Sequence, residues 1–446
     1  VESDNFWISK VKLLNIGGIL MLSSFYGLDA IIREYAGLSP GLPLLCRYQH
    51  GWTPLTEANP NEVLTDKPLM LVFSRRRLQA WNEASNIPAA IMGTPFVHYR
   101  KLKQIEKDIA ANGTVAFPAH STRLIDAVFD IDGYCQQLKS LPIEFHPITI
   151  CLHADDLVKK KDEIYKKYGF NIVTAGPKFV PGFEYVQKFY EILKSHKYAT
   201  SNQAGSYSFY AVEMGIPFFI LGEPAEHSGV RFLPSKYKIV DFPMGAFATK
   251  MFQGPTQVIS EEQKKFVEEE LGVHDCLSGI ELRQLLLESN KRAIEAYQEF
   301  LKTGQGGVED KISTCGKLVD YFQNVGEKDK HLKYILKSFE YDIPRAEFCC
   351  SLGDYFLNTK QYEPAVFWYK LAADLEKPIN SRLTWELHIQ LCACYDRLGK
   401  YELAYEHNEI ARSYKPNNGT VLSNKKYLER MLGIGSSEKK EIVQEE

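Results

Sequence analysis

The feature that most constrains this chain is a pattern that occurs twice near its C-terminus. Leu352-Gly353-Asp354-Tyr355 precedes Tyr362, Ala365, Tyr369 and Pro378. Downstream, Leu398-Gly399-Lys400-Tyr401 forms a second turn, Tyr401 and Ala404 take the places of Tyr362 and Ala365, and Pro416 follows. Small residues let two helices approach closely, and aromatics at fixed offsets fill the groove beside them. The pattern predicts stacked helical hairpins, which bury a continuous core only by packing on one another.

The Leu-Gly-Lys-Tyr turn matches the tetratricopeptide turn. The interval between the two units exceeds the usual ~34 residues, so an insertion near Ile379 to Leu383 must lengthen the first. An unrelated helical bundle is the plainer alternative. Ahead of the repeats, residues 256–345 are helix-patterned, over Glu261 to Leu271, Ser278 to Thr303 and Lys311 to Tyr341, and Gly304 to Gly307 is the best linker. The tail, residues 433–446, is polar and charged and predicts disorder.

The first half of the chain carries a different rhythm. Pro68 to Phe73 and Ala89 to Met92 read as buried strands around a helix from Arg75 to Ser85. A second series follows a helix expected over Lys101 to Ala111. Its strands are Thr114 to Phe117, Pro147 to Leu152, Asn171 to Thr174, Tyr198 to Ser201 and Ile216 to Leu221, separated by helices over Asp132 to Leu141, Val158 to Tyr168, Phe183 to Ser195 and Gly205 to Met214. Strand and helix in alternation predict parallel α/β packing. The fold class expected is therefore α/β with two Rossmann-like lobes, residues 1–112 and 113–255, a cleft between them, and an all-α repeat domain over 346–432.

Bulk properties exclude several function classes. The 446 residues allow two to four domains. A net charge of -3 gives no basic field for nucleic acid. None of the nine cysteines forms a Cys-x-x-Cys pair, so they read as small buried hydrophobes of a reducing cytoplasm. Leu14 to Ile32 is the most apolar stretch, but Asp29 and its glycines and serines suit a buried helix better than a membrane span. Peripheral association with the inner face of a membrane is the most that is expected.

Polar groups collect at strand ends, where open α/β sheets bind ligands. They are His120-Ser121-Thr122, His153 with Asp155-Asp156, and Ser201-Asn202-Gln203-Ala204-Gly205-Ser206. Amides near Gly205 and Ser206 at a helix N-terminus suit a diphosphate, although the segment also reads as a plain helix cap. In the first lobe, His50 follows a strand and precedes Gly51. A pKa near neutrality suits it as general base, with a structural histidine as the plainer alternative. Asp130-Ile131-Asp132 has a metal-binding spacing, but Asp132 reads as a helix N-cap. No metal and no cofactor is expected. Arg123 and Lys178 are candidate counter-charges.

The order of these motifs resembles GT-B glycosyltransferases that build bacterial capsular and lipopolysaccharide glycans. It is similar, more loosely, to the enzymes that polymerise teichoic acid from a cytidine-diphosphate alcohol. In the latter a His-Gly-Thr-Pro motif carries the base; here His50-Gly51-Trp52-Thr53-Pro54 stands there with Trp inserted. Gly93-Thr94-Pro95 matches a Gly-x-Pro strand end. His153 matches a second-lobe histidine on donor phosphate, with Ala154 in place of the usual Pro. Ser201 to Ser206, then Phe209-Tyr210-Ala211 and Gly215-Ile216-Pro217, match the polysaccharide glycosyltransferase pattern. The resemblance covers about Tyr48 to Glu223.

It implies inverting, metal-independent transfer of a sugar from a nucleotide-sugar donor to a glycan or protein acceptor, with His50 as base. Donor-binding residues would be His120, Ser121, Thr122, His153, Ser201, Asn202, Gly205 and Ser206. The repeats would bind a protein partner, the acceptor or a second copy. Two alternatives are transfer of an alditol phosphate and a non-catalytic scaffold for the repeats.

Overall fold

The computed structural model describes residues 25–434, except 64, 66, 123–124, 180–181, 230–233, 343–344 and 376–380. Several expectations lie outside the described residues: the apolar segment up to Ser24, Arg123, Pro378, the first two residues of the insertion, Ile379 and Asn380, and the tail beyond Ile434. The chain divides into two compact units, Val1–Ala296 and Tyr297–Glu446.

Among its described residues the first unit contains three sheets. β1 (Arg47–Tyr48), β2 (Met70–Val72) and β3 (Ala89–Ile91) are parallel in that order. β4 (Thr114–Ala116), β6 (Ile148–Cys151), β7 (Asn171–Val173), β8 (Tyr198–Ser201) and β9 (Phe218–Ile220) form a parallel sheet ordered β7-β6-β4-β8-β9. The chain builds outward from β4, then crosses back to start again at β8. That is the Rossmann order, and the reversal between β4 and β8 opens a crevice at the strand ends. β5 (Asp126–Val128), β10 (Glu226–Ser228) and β11 (Lys236–Lys238) form an antiparallel sheet ordered β11-β10-β5. These three short strands carry no periodic signal long enough to read from sequence.

One hydrophobic core joins the two parallel sheets. Leu71, Phe73 and Met92 share it with Val115, Ala199 and Phe218, bridged by Phe96, Val97 and Tyr99 of the helix Pro95–Leu102. The first sheet adds only a small outer core of Met70, Val72, Trp81 and Ile87. Among the described residues, the expected pair of separate Rossmann lobes is therefore one Rossmann-like sheet with a three-stranded sheet on the same core.

Three helices depart from expectation for local reasons. The helix expected over Lys101 to Ala111 begins instead at Pro95, at its first turn, and ends at Leu102 before the left-handed Gln104. The helix expected over Val158 to Tyr168 is instead two, Ala154–Val158 and Asp162–Lys167, around the left-handed Lys160. The long segment to Tyr341 is two helices, Val308–Asn324 and Lys328–Phe339, turned at Gly326 with φ 77°.

The second unit is a series of helical hairpins. Val308–Asn324 pairs with Lys328–Phe339, Ala346–Asn358 with Tyr362–Leu375, and Ser381–Arg397 with Tyr401–Tyr414; Gly419–Met431 follows. Ala365 and Ala404 are wholly buried, as the repeat pattern requires. Gly353 is fixed by packing: a Cβ there would lie 2.4 Å from the ring of Tyr369, whose hydroxyl donates to Asp354 at 2.5 Å.

Candidate functional site

A cavity of about 400 Å³ lies in the first unit at the strand ends. It is lined by His50, His120, Thr122, His153, Gly205 and Ser206, all singled out from sequence, together with Gln203 and His227. Tyr26, Trp52, Phe96, Phe117, Tyr185, Tyr207, Tyr210 and Tyr237 supply aromatic walls.

His50 follows β1 on a loop that is held from several sides. The Gln49 amide accepts from the Phe73 N–H at 3.0 Å and donates to the Gly51 carbonyl at 2.8 Å. The Trp52 N–H donates to Ser206 Oγ at 2.9 Å, and its indole N–H donates to Glu270 Oε2 at 2.7 Å. Arg76 forks onto both Glu270 oxygens and reaches the carbonyls of Thr53 and Leu55. Trp52, which replaces nothing in the expected motif but is inserted into it, thus ties the His50 loop to two helices.

His120 follows β4, and His153 caps the helix Ala154–Val158 after β6. Their rings stack with centroids 4.7 Å apart. His153 Nδ1 accepts from the Asp155 N–H at 3.2 Å, which assigns the ring proton of the neutral imidazole to Nε2; among the described residues that buried atom has no hydrogen-bond partner. His227 on β10 stacks on Tyr237 at 5.4 Å and meets the Gln203 amide at 3.1 Å.

Desolvation by the surrounding protein lowers the pKa of all four imidazoles, although the His50 residue itself remains exposed to solvent. Arg47 and Lys178 add to the effect at His50. His120 falls to about 3, helped by His153, His227 and the lysines Lys178 and Lys161. At His153 the carboxylates Asp155 and Asp156 oppose burial, and at His227 burial is joined by Lys161. The cavity therefore presents neutral imidazoles at pH 7. Lys178 approaches Asp155 Oδ2 at 3.9 Å.

Three residues expected to bind the donor make hydrogen bonds within the protein. Ser121 Oγ accepts from the Ala127 N–H at 3.0 Å and from Lys161 at 2.8 Å. Ser201 Oγ bonds the Tyr207 hydroxyl at 2.9 Å. Asn202 accepts from the Ala119 N–H at 2.8 Å and donates to the Glu223 carbonyl at 3.0 Å. All three are fully buried, and none lines the cavity. Gly205 also differs from expectation: its N–H donates to Ser208 Oγ, and a Cβ there would meet the Tyr207 ring at 2.7 Å. In the first turn of the helix Ser206–Glu213, the Ser208 N–H donates to the Gly205 carbonyl at 3.0 Å.

Asp130, not Asp132, is the N-cap of Ile131–Lys139, accepting from the Gly133 N–H at 2.9 Å; Asp132 accepts from the Tyr168 hydroxyl at 2.9 Å. His98 lies off the cavity, stacked on Tyr35 at 3.7 Å and bonded to the Met92 carbonyl. His227 was not readable from sequence, because it sits on a three-residue strand whose partners come from distant segments.

No protein-family model matches the chain, and no curated protein matches it in sequence. Solved structures similar to it include repeat proteins. The first TPR of Spaghetti (RPAP3) bound to an HSP90 peptide is 17% identical over 28% of this chain and 94% of that one, with a TM-score of 0.25. MamA is 20% identical over 35% and 85%, with a TM-score of 0.29. The APC/C hetero-tetramer Cut9-Hcn1 is 16% identical over 35% and 29%, with a TM-score of 0.28. Likeness at this level says nothing of partner or activity. Among the described residues, no helix is long and apolar enough to cross a membrane.

Proposed function

We propose that the first unit binds a nucleotide-activated sugar in the imidazole-lined cavity and transfers the sugar to an acceptor hydroxyl, while the repeats recruit a protein partner. The observation that carries this reading is convergence. His50 from the first sheet faces the same cavity as His120, His153 and the Ser206 helix N-terminus from the Rossmann-like sheet. Donor and base would then meet across one space. The neutral His50 takes the acceptor proton. Helix amides and imidazoles receive the charge of the leaving diphosphate, and the aromatic walls stack the sugar and base. Exposed apolar side chains on the hairpins, including Phe367, Leu403, Leu422 and Tyr427, support a docking role for the repeats.

A second reading is a non-catalytic scaffold, in which the α/β unit only binds a ligand beside the repeats. It is favoured by the internal roles of Ser121, Ser201 and Asn202, which leave fewer groups for a donor. Calorimetry with a panel of nucleoside diphosphates and their sugars separates the two. Binding followed by release of free nucleoside diphosphate in the presence of a glycan acceptor supports transfer. Absence of binding to the whole panel removes both donor and transferase, and leaves the scaffold.

A further inference from the structure

The hairpin ahead of the two sequence repeats is a third unit of the same kind. In Val308–Asn324 and Lys328–Phe339, the residues Leu318, Phe322, His331 and Ile335 precede Leu352, Phe356, Ala365 and Tyr369 by the usual ~34 residues. His331 is buried in the place of Ala365 and Ala404, and its Nδ1–H donates to the Val319 carbonyl at 3.1 Å. Residues at one helical position therefore fall in a row across the second helices of the three hairpins. Two residues beyond that buried position stand Lys333, Phe367 and Glu406. Two residues along a helix is a rotation of about 200°, so this row faces away from the core.

All three side chains are exposed, Phe367 by 60%. Leu336, one turn C-terminal of Lys333, is 51% exposed, and Leu403, one turn N-terminal of Glu406, is 38% exposed. Nearby charges are answered within the chain: Lys330 by Glu327 at 3.4 Å, Lys337 by Glu340 at 2.5 Å, and Glu409 by Arg412 at 2.5 Å. Lys333 lies instead over the ring of Tyr334 at 5.5 Å. On the middle helix Glu363 and Lys370 flank Phe367 with offsetting charges. The face thus runs from a cation through an aromatic to a carboxylate.

We propose that this face binds a second copy of the chain about a twofold axis at Phe367. Such an axis requires a self-complementary patch. Rotation about it reverses the direction of the helices. It therefore sets Lys333 on Glu406 of the second copy and, at the same time, Leu336 on Leu403 of the second copy, with the two Phe367 rings between. A head-to-tail contact would match the charges but leave Phe367 uncovered. Three helices about 10 Å apart and about 20 Å long present roughly 600 Å² per copy. The pair then buries roughly 1,200 Å², at the lower limit for a specific interface, so a weak, reversible dimer is expected. The proposal names the partner for the docking role read above for the repeats, and it does not depend on what the first unit's cavity holds.

Sedimentation equilibrium of the full chain, over a range of protein and salt concentrations, is the test. A monomer–dimer equilibrium that weakens as salt rises is expected. Lys333→Glu and Glu406→Lys each bring like charges together at both ends of the row, and each should weaken the dimer about tenfold or more. An equimolar mixture of those two variants should dimerise again, because opposite charges then meet at both ends. Phe367→Asp should leave the chain monomeric. The altered side chains are all exposed, and far-UV circular dichroism checks that each variant keeps the fold. A chain that stays monomeric throughout overturns the proposal and leaves the face to a different partner. A dimer unmoved by the three variants places the interface elsewhere and also overturns it. So does a mixture that fails to dimerise, or an oligomer that grows without limit as concentration rises. Calorimetry of nucleotide binding is a separate readout, so loss of the dimer and loss of the donor reading are told apart.

Discussion

At the scale of single residues, His50 is the sharpest test of transfer. His50→Ala should lower turnover by roughly a hundredfold or more while donor affinity changes little, the size expected for a lost general base. Because desolvation by its surroundings, with Arg47 and Lys178, holds the His50 pKa below its ordinary value, the neutral base persists below pH ~6.5. The wild-type rate should therefore stay flat through that value and fall only at lower pH, and this acid limb should vanish in the variant. Near-normal turnover of His50→Ala would move the base elsewhere. Asn202 makes the contrasting case. Asn202→Ala leaves the Ala119 N–H and the Glu223 carbonyl without their partner, and should cost about 1–3 kcal/mol in denaturant unfolding. If nucleotide affinity fell with stability unchanged, Asn202 would be a ligand contact after all.

At the scale of elements, two locks set the geometry. Glu270 joins Trp52 and Arg76, so Glu270→Leu should free the loop that carries His50. The expected result is a lower melting temperature and a turnover loss like that of His50→Ala with a smaller magnitude. In the second unit, His388 Nδ1 lies 2.8 Å from His407 Nδ1, between Ser381–Arg397 and Tyr401–Tyr414. Burial, His388 and Lys370 lower His407 to about 4. Folding thus favours the neutral ring, so this contact's stability should hold above pH ~6.5 and be lost as pH falls toward 4. The melting curve of the repeats should show that loss, and His407→Gln should reduce it. The hairpins themselves were legible because Gly353, Ala365, Tyr369 and Ala404 act through local offsets. Parallel strands were legible as short apolar runs buried on both faces. What escaped was non-local: the antiparallel sheet that brings in His227, and the hydrogen bonds that turn Ser121, Ser201 and Asn202 inward. A serine at a strand end has the same letter whether it faces a ligand or a neighbouring amide.

At the scale of the molecule, the division between units falls within the helix Gly279–Thr303, upstream of the expected linker at Gly304 to Gly307. A fragment ending at Gly304 keeps that helix whole and retains every cavity residue, so it should stay folded and bind nucleotide as the full chain does. An insoluble fragment would make the hairpins integral to the first unit's stability. Within that unit, the core shared by the two parallel sheets has a kinetic consequence. Enzymes that trap their substrate between hinged halves show an association rate that levels off as ligand is raised, because opening becomes limiting. Here Leu71, Phe73 and Met92 are packed against Phe96 and Val97 in the same core as Val115 and Ala199, and parting the sheets would expose that apolar surface to water. Ligand should instead enter through a standing mouth, and stopped-flow association rates should climb linearly with its concentration without a plateau.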